Sequence, residues 1–389
     1  MRNILCALCC LIASLCFAQE EGFNQDFGYR GDLFINNKEK ALDEHYSDIR
    51  SICVLPHGKV LLASRYTLSA EYMGIKFAYS VLKLNQNGSI DSSFGLNGVK
   101  IITPVNGVSF NSMQVLQDGK IILAGGSFPN IVRLLPNGDL DSSFNSKALK
   151  NRGTVVTSDV QLHRLLVVDN NSYKVIGKQD FGGQGRFVTI RVNGNGEIDT
   201  TYGKSGFYKG IYVSGSITDF EVMDAVEHSN HYTTVMASRQ GNDGKHAIFS
   251  MRIHRDGITD STYGINGIQE YNQLPSLKLI KIISAANDKY YVLGKNLAQG
   301  DSSFIYKFHY NGSVDSTFGI NGVHVLKAGN ENINAFDIEL TADSLLVVNG
   351  VADNTKAVLR VTSNGKQDVT FGLDGAIKLT TPGFGWSSI

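Results

Sequence analysis

The chain has 389 residues, with 36 Lys plus Arg against 36 Asp plus Glu and a calculated pI near 7.1. That balance gives no field to draw nucleic acid or an anionic membrane surface, so neither partner is expected.

Residues Met1–Ala18, "MRNILCALCCLIASLCFA", carry one positive charge at Arg2, an apolar run from Ile4 to Phe17 and small residues near the end. This is the layout of a secretory signal peptide. Cleavage after Ala18 would leave Gln19 first, and the run is too short to favour a membrane span. A lipoprotein signal wants a small residue before its cysteine, whereas Leu15 precedes Cys16. The expectation is therefore an unlipidated exported protein, in the periplasm, at the cell surface or outside the cell. Cys6, Cys9, Cys10 and Cys16 all lie in the leader, so the exported chain keeps only Cys53 and no internal disulfide can form. Cys53, in "SICVLPHGKVLLA", alternates with apolar neighbours and reads as a small buried strand residue.

From Asp26 onward one motif recurs. It is truncated at Asp26 ("DFGYRG") and full at Asn87 ("NGSIDSSFGLNGV"), Asn137 ("NGDLDSSFNSKA"), Asn195 ("NGEIDTTYGKSG"), Asp256 ("DGITDSTYGING"), Asn311 ("NGSVDSTFGINGV") and Asn364 ("NGKQDVTFGLDG"). Its aromatic residue falls at Phe27, Phe94, Phe144, Tyr202, Tyr263, Phe318 and Phe371, a period of roughly 50 to 65 residues. Each unit continues with a short apolar segment ("VKIITP"), a hairpin with turn residues between β-branched runs ("MQVLQDGKIILAGG") and a further apolar segment ("NIVRLLPNG"). Four strands per unit without helical periodicity predict an all-β fold, a β-propeller of four-stranded blades. Residues 1–18 are taken as the leader and 19–389 as one propeller domain. Seven copies bound six units, so six blades are expected, or seven if the insert around Lys38–Tyr46 adds strands. The strand-like segments after the first and last motifs, "DLFIN" and "GAIKLTTP", are expected to close the ring by overlap. Three departures blur the pattern: Asn145 after Phe144, the irregular hairpin "EVMDAVEHSNHYTTVMAS" and the insert "NNKEKALDEHYSD".

The "DG/NG-x-x-D-x-x-F-G-x-x-G" element coupled to "DGKIILAGG" resembles the delta-60 repeat of bacterial exported proteins. The resemblance covers essentially the whole mature chain and implies a propeller-like fold and export, without an assigned activity or active-site residues.

The recurring residues have structural work that needs no ligand. Asp91, Asp141, Asp199, Asp260, Asp315 and Asp368 each stand three residues before the aromatic, where a carboxylate can cap a single turn. Gly95, Gly203, Gly264, Gly319 and Gly372 follow it, where the chain leaves the turn with positive φ. The ring of Phe94, Phe144, Tyr202, Tyr263, Phe318 or Phe371 is expected to insert between sheets. One carboxylate per motif lacks the dense ligand spacing of a calcium loop. His228 and His231 in "HSNH" read as a solvated turn, and "QDFGGQGRF" (Gln179–Phe187) as a flexible loop between third and fourth strands rather than a phosphate cradle. His163, His254, His309 and His324 read as packed or surface residues, and the "NGS" triplets at Asn87 and Asn311 as products of the repeat's turn. No catalytic, metal or cofactor residue is therefore nominated. Two functions remain: a monomeric, non-catalytic scaffold that binds protein or glycan, or a propeller enzyme of hydrolase, lyase or lactonase type with its site in the central channel.

Overall fold

The computed structural model describes residues 47–379 apart from 73–74, 103–109, 111, 128–130, 145–159, 170, 182–183, 211–218, 241–245, 272–276, 297–301 and 342. The leader, the Asp26–Gly31 motif copy, most of the charged insert and Asn145 lie outside the described residues.

Six antiparallel blades form a six-bladed β-propeller. Blade 1 contains β1 (Ser47–Val54), β2 (Val60–Tyr72), β3 (Ile75–Leu84) and β4 (Val99–Ile102). In blade 2 the described strands are β5 (Ser112–Val115), β6 (Ile121–Ala124) and β8 (Ile131–Leu134), while the short β7 (Gly126–Ser127) crosses to pair with the next blade. Blade 3 contains β9 (Val160–Asp169), β10 (Ser172–Phe181), β11 (Gln184–Asn193) and β12 (Phe207–Lys209). Blade 4 follows with β13 (Asp219–Glu227), β14 (Thr233–Gln240), β15 (His246–Ile253) and β16 (Ile268–Glu270). Blade 5 is built from β17 (Leu277–Ser284), β18 (Tyr290–Asn296), β19 (Ser303–Phe308) and β20 (Val323–Val325). A small hairpin, β21 (Lys327–Ala328) and β22 (Glu331–Asn332), leads to blade 6, made of β23 (Asn334–Leu340), β24 (Leu346–Ala352), β25 (Thr355–Val361) and β26 (Ala376–Leu379).

The first strands β1, β5, β9, β13, β17 and β23 pack on one another in succession and so form the inner wall, with the fourth strands outermost. Middle strands are covered on both faces, which is why "YYVLG" in β18 and "LVV" in β24 read as unbroken apolar runs instead of alternating ones. Apolar side chains of neighbouring blades share a cluster at five successive junctions: Leu61 and Tyr79 with Met113 and Leu123, Ile122 with Tyr173, Ile176 with Ala225, Met236 with Ile282, and Leu293 with Ile338. The propeller's core is thus a set of inter-blade layers, not one central core.

Several expectations change in detail. The motif joins the third and fourth strands of one blade, so units counted from the motif straddle two blades. The strand after the last motif, β26, pairs with β25 and completes blade 6, where overlap with the first blade was expected. The hairpin that reads as irregular, β13–β14, is a regular two-strand pair whose register runs to Glu227 opposite Thr233. Gln179–Phe187 spans the β10–β11 hairpin, between the second and third strands.

Candidate functional site

Two layers of polar chemistry recur around the ring: the motif corner and the inner belt. In the corner of blade 1, the Ser93 N–H and hydroxyl donate to Asp91 Oδ1 at 3.3 and 2.5 Å, and Lys59 Nζ donates to Oδ2 at 2.8 Å. The same serine or threonine partner serves Asp141, Asp199, Asp260, Asp315 and Asp368. The corner is a hydrogen-bonded turn, not a helix. Five of the six aspartates are also met by a cation eight residues earlier on the third strand, a spacing that a reading of the motif alone misses, and Asp315 is met by Lys289 instead. Arg133 lies 2.8 Å from Asp141, Arg252 2.6 Å from Asp260, and Arg360 2.6 Å from Asp368. Lys83 and Arg191 approach Asp91 and Asp199 at 3.8 and 3.4 Å. The bond from Lys59 holds Asp91 down at about 2. For Asp141 and Asp315 burial pushes the carboxyl up, but the donated bonds outweigh it and leave both at about 2.

The rings of Phe94, Phe144, Tyr202, Tyr263 and Phe318 contact the next blade. Phe94, Tyr202, Tyr263 and Phe318 are buried, and a third-strand cation lies over several rings: Arg133 over Phe144 at 4.6 Å, Arg252 over Tyr263 at 4.7 Å, Arg360 over Phe371 at 4.7 Å. The Gly95, Gly203 and Gly319 N–H groups donate to the carbonyls of Asn137, Asp256 and Asn364, each the first residue of the following motif. Gly95 needs its φ of 55°, and a Cβ there would collide with the Val99 carbonyl. Gly203, Gly264, Gly319 and Gly372 share that conformation. The next blade's turn glycine completes the seat: a Cβ on Gly138 or Gly365 would press to 3.0 Å from the ring of Phe94 or Phe318.

The inner belt occupies one position of each first strand. Register brings Ser51, Arg164, Asp224, Lys281 and Asp337 to the same place beside a β-bulge, with Ser112 at the matching place in β5. These residues link neighbouring blades. Ser51 Oγ accepts the Met113 N–H at 3.2 Å and Ser112 Oγ the Leu165 N–H at 3.3 Å. Asp224 Oδ1 accepts the Ala225 N–H and Oδ2 the Ile282 N–H, both at 2.8 Å. Arg164 Nε lies 3.2 Å from Asp224, close enough to pair the charges although its N–H is not aimed at the oxygen. Lys281 Nζ lies 2.8 Å from Asp337 and also bonds Glu339. Burial pulls the Lys281 ammonium down, yet the two carboxylates outweigh it and its pKa is raised. The belt could not be found from the motif, because the bulge shifts its register and the residue type differs in almost every blade.

The junction of blades 3 and 4 buries a charge. Lys174 is fully enclosed and donates to Glu227, Thr233 and the His231 carbonyl at 2.8 to 2.9 Å. Burial lowers its pKa against the pull of Glu227. His231 sits in the turn as expected, with φ 63°. His228, by contrast, is not solvated: it is buried against Tyr310 and Tyr290 and shares a 2.8 Å bond with Thr234. Burial pushes its imidazole down to about 4. Cys53 is half-buried in β1, with Sγ 3.3 Å from the Met113 carbonyl. His163 and His324 lie in β9 and β20, whereas His254 and His309 follow strands. Among the described residues no group of three His, Cys, Asp or Glu side chains could hold a metal ion, and no helix is long and apolar enough to cross a membrane.

Residues 116–144 match a family described as "Domain of unknown function (DUF5122) beta-propeller". No curated protein matches the sequence. Similar solved structures include prolyl oligopeptidase B from Galerina marginata, at 11% identity and a TM-score of 0.45 over 86% of this chain and 42% of that one. Polysaccharide lyase Uly1 is similar at 8% identity and TM-score 0.45, covering 92% and 86% of the two chains, and a mutant of AofleA from Arthrobotrys oligospora at 9% and 0.41, covering 87% and 90%. The chain spans about 42% of the length of the peptidase it resembles. The family match, the recurring corner and the six blades make this chain a β-propeller repeat protein.

Proposed function

We propose that the chain is an exported, non-catalytic propeller of the delta-60 repeat kind, which acts as a monomeric scaffold for a protein or glycan partner at the cell envelope or outside the cell. The carrying observation is a row of bare aliphatic side chains at equivalent corners. Leu96, Ile265, Ile320 and Leu373, each two residues after the motif aromatic, are 79%, 81%, 77% and 82% exposed. Apolar groups displayed at a fixed place on four of the six repeats, three of them consecutive, suit a partner that spans several blades. Replacing all four by serine should abolish retention of the purified protein on envelope fractions or surface polysaccharide of the producing cell while leaving the melting temperature within a few degrees. Undiminished retention would sink this reading. Export without lipid is checked by intact mass: the exported protein should begin at Gln19 and carry no diacylglyceryl group.

An enzyme reading rests on Lys281, Asp337 and Glu339, a cation and two half-exposed carboxylates on the inner wall. It predicts turnover of an ester, lactone or glycan substrate that Lys281→Met removes without unfolding the protein. Equal turnover in both proteins would exclude that cluster.

A further inference from the structure

Blade 4 departs from its neighbours at one turn. The same bond closes the first hairpin of blades 1, 2, 4 and 5: the Leu55, Leu116, His228 and Ala285 N–H groups donate to the carbonyls of Lys59, Lys120, Tyr232 and Lys289. In blades 1, 2 and 5 the lysine at that place reaches the corner aspartate, with Nζ 2.8, 3.5 and 2.9 Å from Asp91, Asp141 and Asp315. Blade 4 puts Tyr232 there, and among the described residues Asp260 keeps Arg252 as the one cation paired with it.

A second tyrosine comes from the next blade. Tyr310 stands just before the motif of blade 5, where the other full motifs have Gln86, Pro136, Gly194, Arg255 and Ser363. Its carbonyl accepts a bond from Arg252 Nη1 at 2.9 Å, and the guanidinium carbon lies 4.1 Å from the centre of its ring. The Tyr232 ring is 5.7 Å from the same carbon and meets His254 edge-on at 4.6 Å. Asn230 ties the two tyrosines together: its Nδ2 donates to the Tyr310 hydroxyl at 2.9 Å and its Oδ1 accepts the Tyr232 N–H at 3.3 Å. Arg252 is buried, whereas Tyr232, His254 and Tyr310 are half-buried and Asn230 is exposed. Blades 1 and 2 hold the equivalent corner with Lys59 and Pro136, and with Lys120 and Gly194, so the fold requires neither ring.

Charge decides which ligand suits this place. Asp91 faces both Lys59 and Lys83, but here Arg252 cancels Asp260, and Arg255 and Asp256 on the outer turn, 3.8 Å apart, cancel as well. A phosphate, sulfate or uronic acid gains little from so balanced a surface. A neutral sugar fits it: the C–H face of a pyranose packs on a tyrosine ring, while its hydroxyls exchange hydrogen bonds with an amide, a phenol and an imidazole. We infer that Tyr232 and Tyr310, with Asn230 and His254 at their rim, form a subsite for one neutral hexopyranose residue of a glycan. The inference rests on the scaffold reading above and gives its partner class at the two corners that display Ile265 and Ile320.

Affinity electrophoresis of the full chain tests this, in gels cast with xylan, mannan, glucan or starch, each mobility read against a polymer-free gel. At least one of these polymers should retard the parent. Tyr232→Lys, which restores the turn lysine of blades 1, 2 and 5, should bind that polymer about tenfold more weakly, as expected for the loss of one packed ring, without a fall in melting temperature. Tyr232→Ala, which adds no charge, should lose binding to the same extent. An unretarded parent, or equal retardation of the parent and Tyr232→Lys, would overturn the inference. Retardation by alginate alone would assign the place to an acidic ligand. Binding of decaproline that Tyr232→Lys abolishes, with no polymer retarding the parent, would assign the rings to a protein. If the fourfold serine variant leaves the envelope while Tyr232→Lys binds every polymer as the parent does, the scaffold stands and this subsite falls.

Discussion

The motif corner and the inner belt do the same mechanical job, tying each blade to the next, yet one is monotonous and the other varied. At the corner every aspartate meets a hydroxyl partner and a cation, and nearly every aromatic is followed by glycine, because a buried ring and a positive-φ exit leave few alternatives. At the belt any side chain that can accept a neighbour's N–H or pair with its charge will serve, so serine, arginine, aspartate and lysine all occur at one position. Repetition in sequence thus marks where geometry is restrictive, while variation at a fixed place marks where it is permissive and where individuality, including any ligand, can be built.

The comparison is most sharply broken by removing one corner ring. Phe318→Ala should cost about 3 to 5 kcal/mol, because a fully covered ring leaves a cavity between two blades. Denaturant unfolding would measure it, and a loss below 1 kcal/mol would show that corners are not the main ties. The belt's most connected member comes next. Asp224→Ala strands two backbone N–H groups and the half-buried Arg164, so a loss of about 3 kcal/mol is expected, partly restored in Asp224→Asn. If alanine and asparagine behave alike, the charge and not the accepted bonds matters there.

Protonation separates the corner from the buried turn of blade 4 in a different way. His228 has a folded pKa of about 4, below its ordinary 6.5, so the unfolded chain takes up the proton first. Its contribution is complete above pH 6.5 and is lost as pH falls toward 4, at up to about 1.4 kcal/mol per unit. His228→Gln should flatten that slope in calorimetry between pH 4 and 7. The corner aspartates act lower: with folded values of about 2 against 3.8, Asp91, Asp141 and Asp315 lend stability that is present above pH 4 and lost toward pH 2. Melting should therefore drop in two separable stages, and a single stage would show that either His228 or the corner aspartates alone control the acid response.

Smaller effects test one polar tie in each layer, Asp315 at the corner and Ser51 in the belt. Asp315→Ala should cost about 0.5 to 2 kcal/mol, with Asp315→Asn recovering the part owed to Thr317 but not to Lys289, and calcium should not change the melting temperature of either. Ser51→Ala should cost about 1 kcal/mol, since it removes one acceptor from the Met113 N–H.

The fold was legible because the corner repeats: seven aromatics at a steady period imply blades before any strand is assigned. Even so, counting from the motif put unit boundaries in the wrong place, since the sequence period is indifferent to where a blade begins. The cation eight residues before each aspartate was equally visible and was missed, because it lies on a strand whose other residues vary. Lys281, Asp224 and Arg164 were not legible as a set. Each stands between apolar neighbours with no recurring motif around it, and only strand pairing around a bulge brings them to one ring. His228 misled for a related reason: a turn was correctly read around it, but the rings of Tyr290 and Tyr310 that enclose it come from the next blade.

The bond from a corner glycine to the following motif also sets a timetable. Gly95 cannot find its acceptor until Asn137 has been made, nor Gly319 until Asn364 has. At about 5 to 20 residues per second, a blade that is followed by another waits roughly 2 to 11 seconds on a growing chain with its aromatic uncovered. Assembly is therefore directional, each blade sealed by its successor, and the interval of greatest exposure to aggregation or proteolysis recurs once per repeat, not once per molecule.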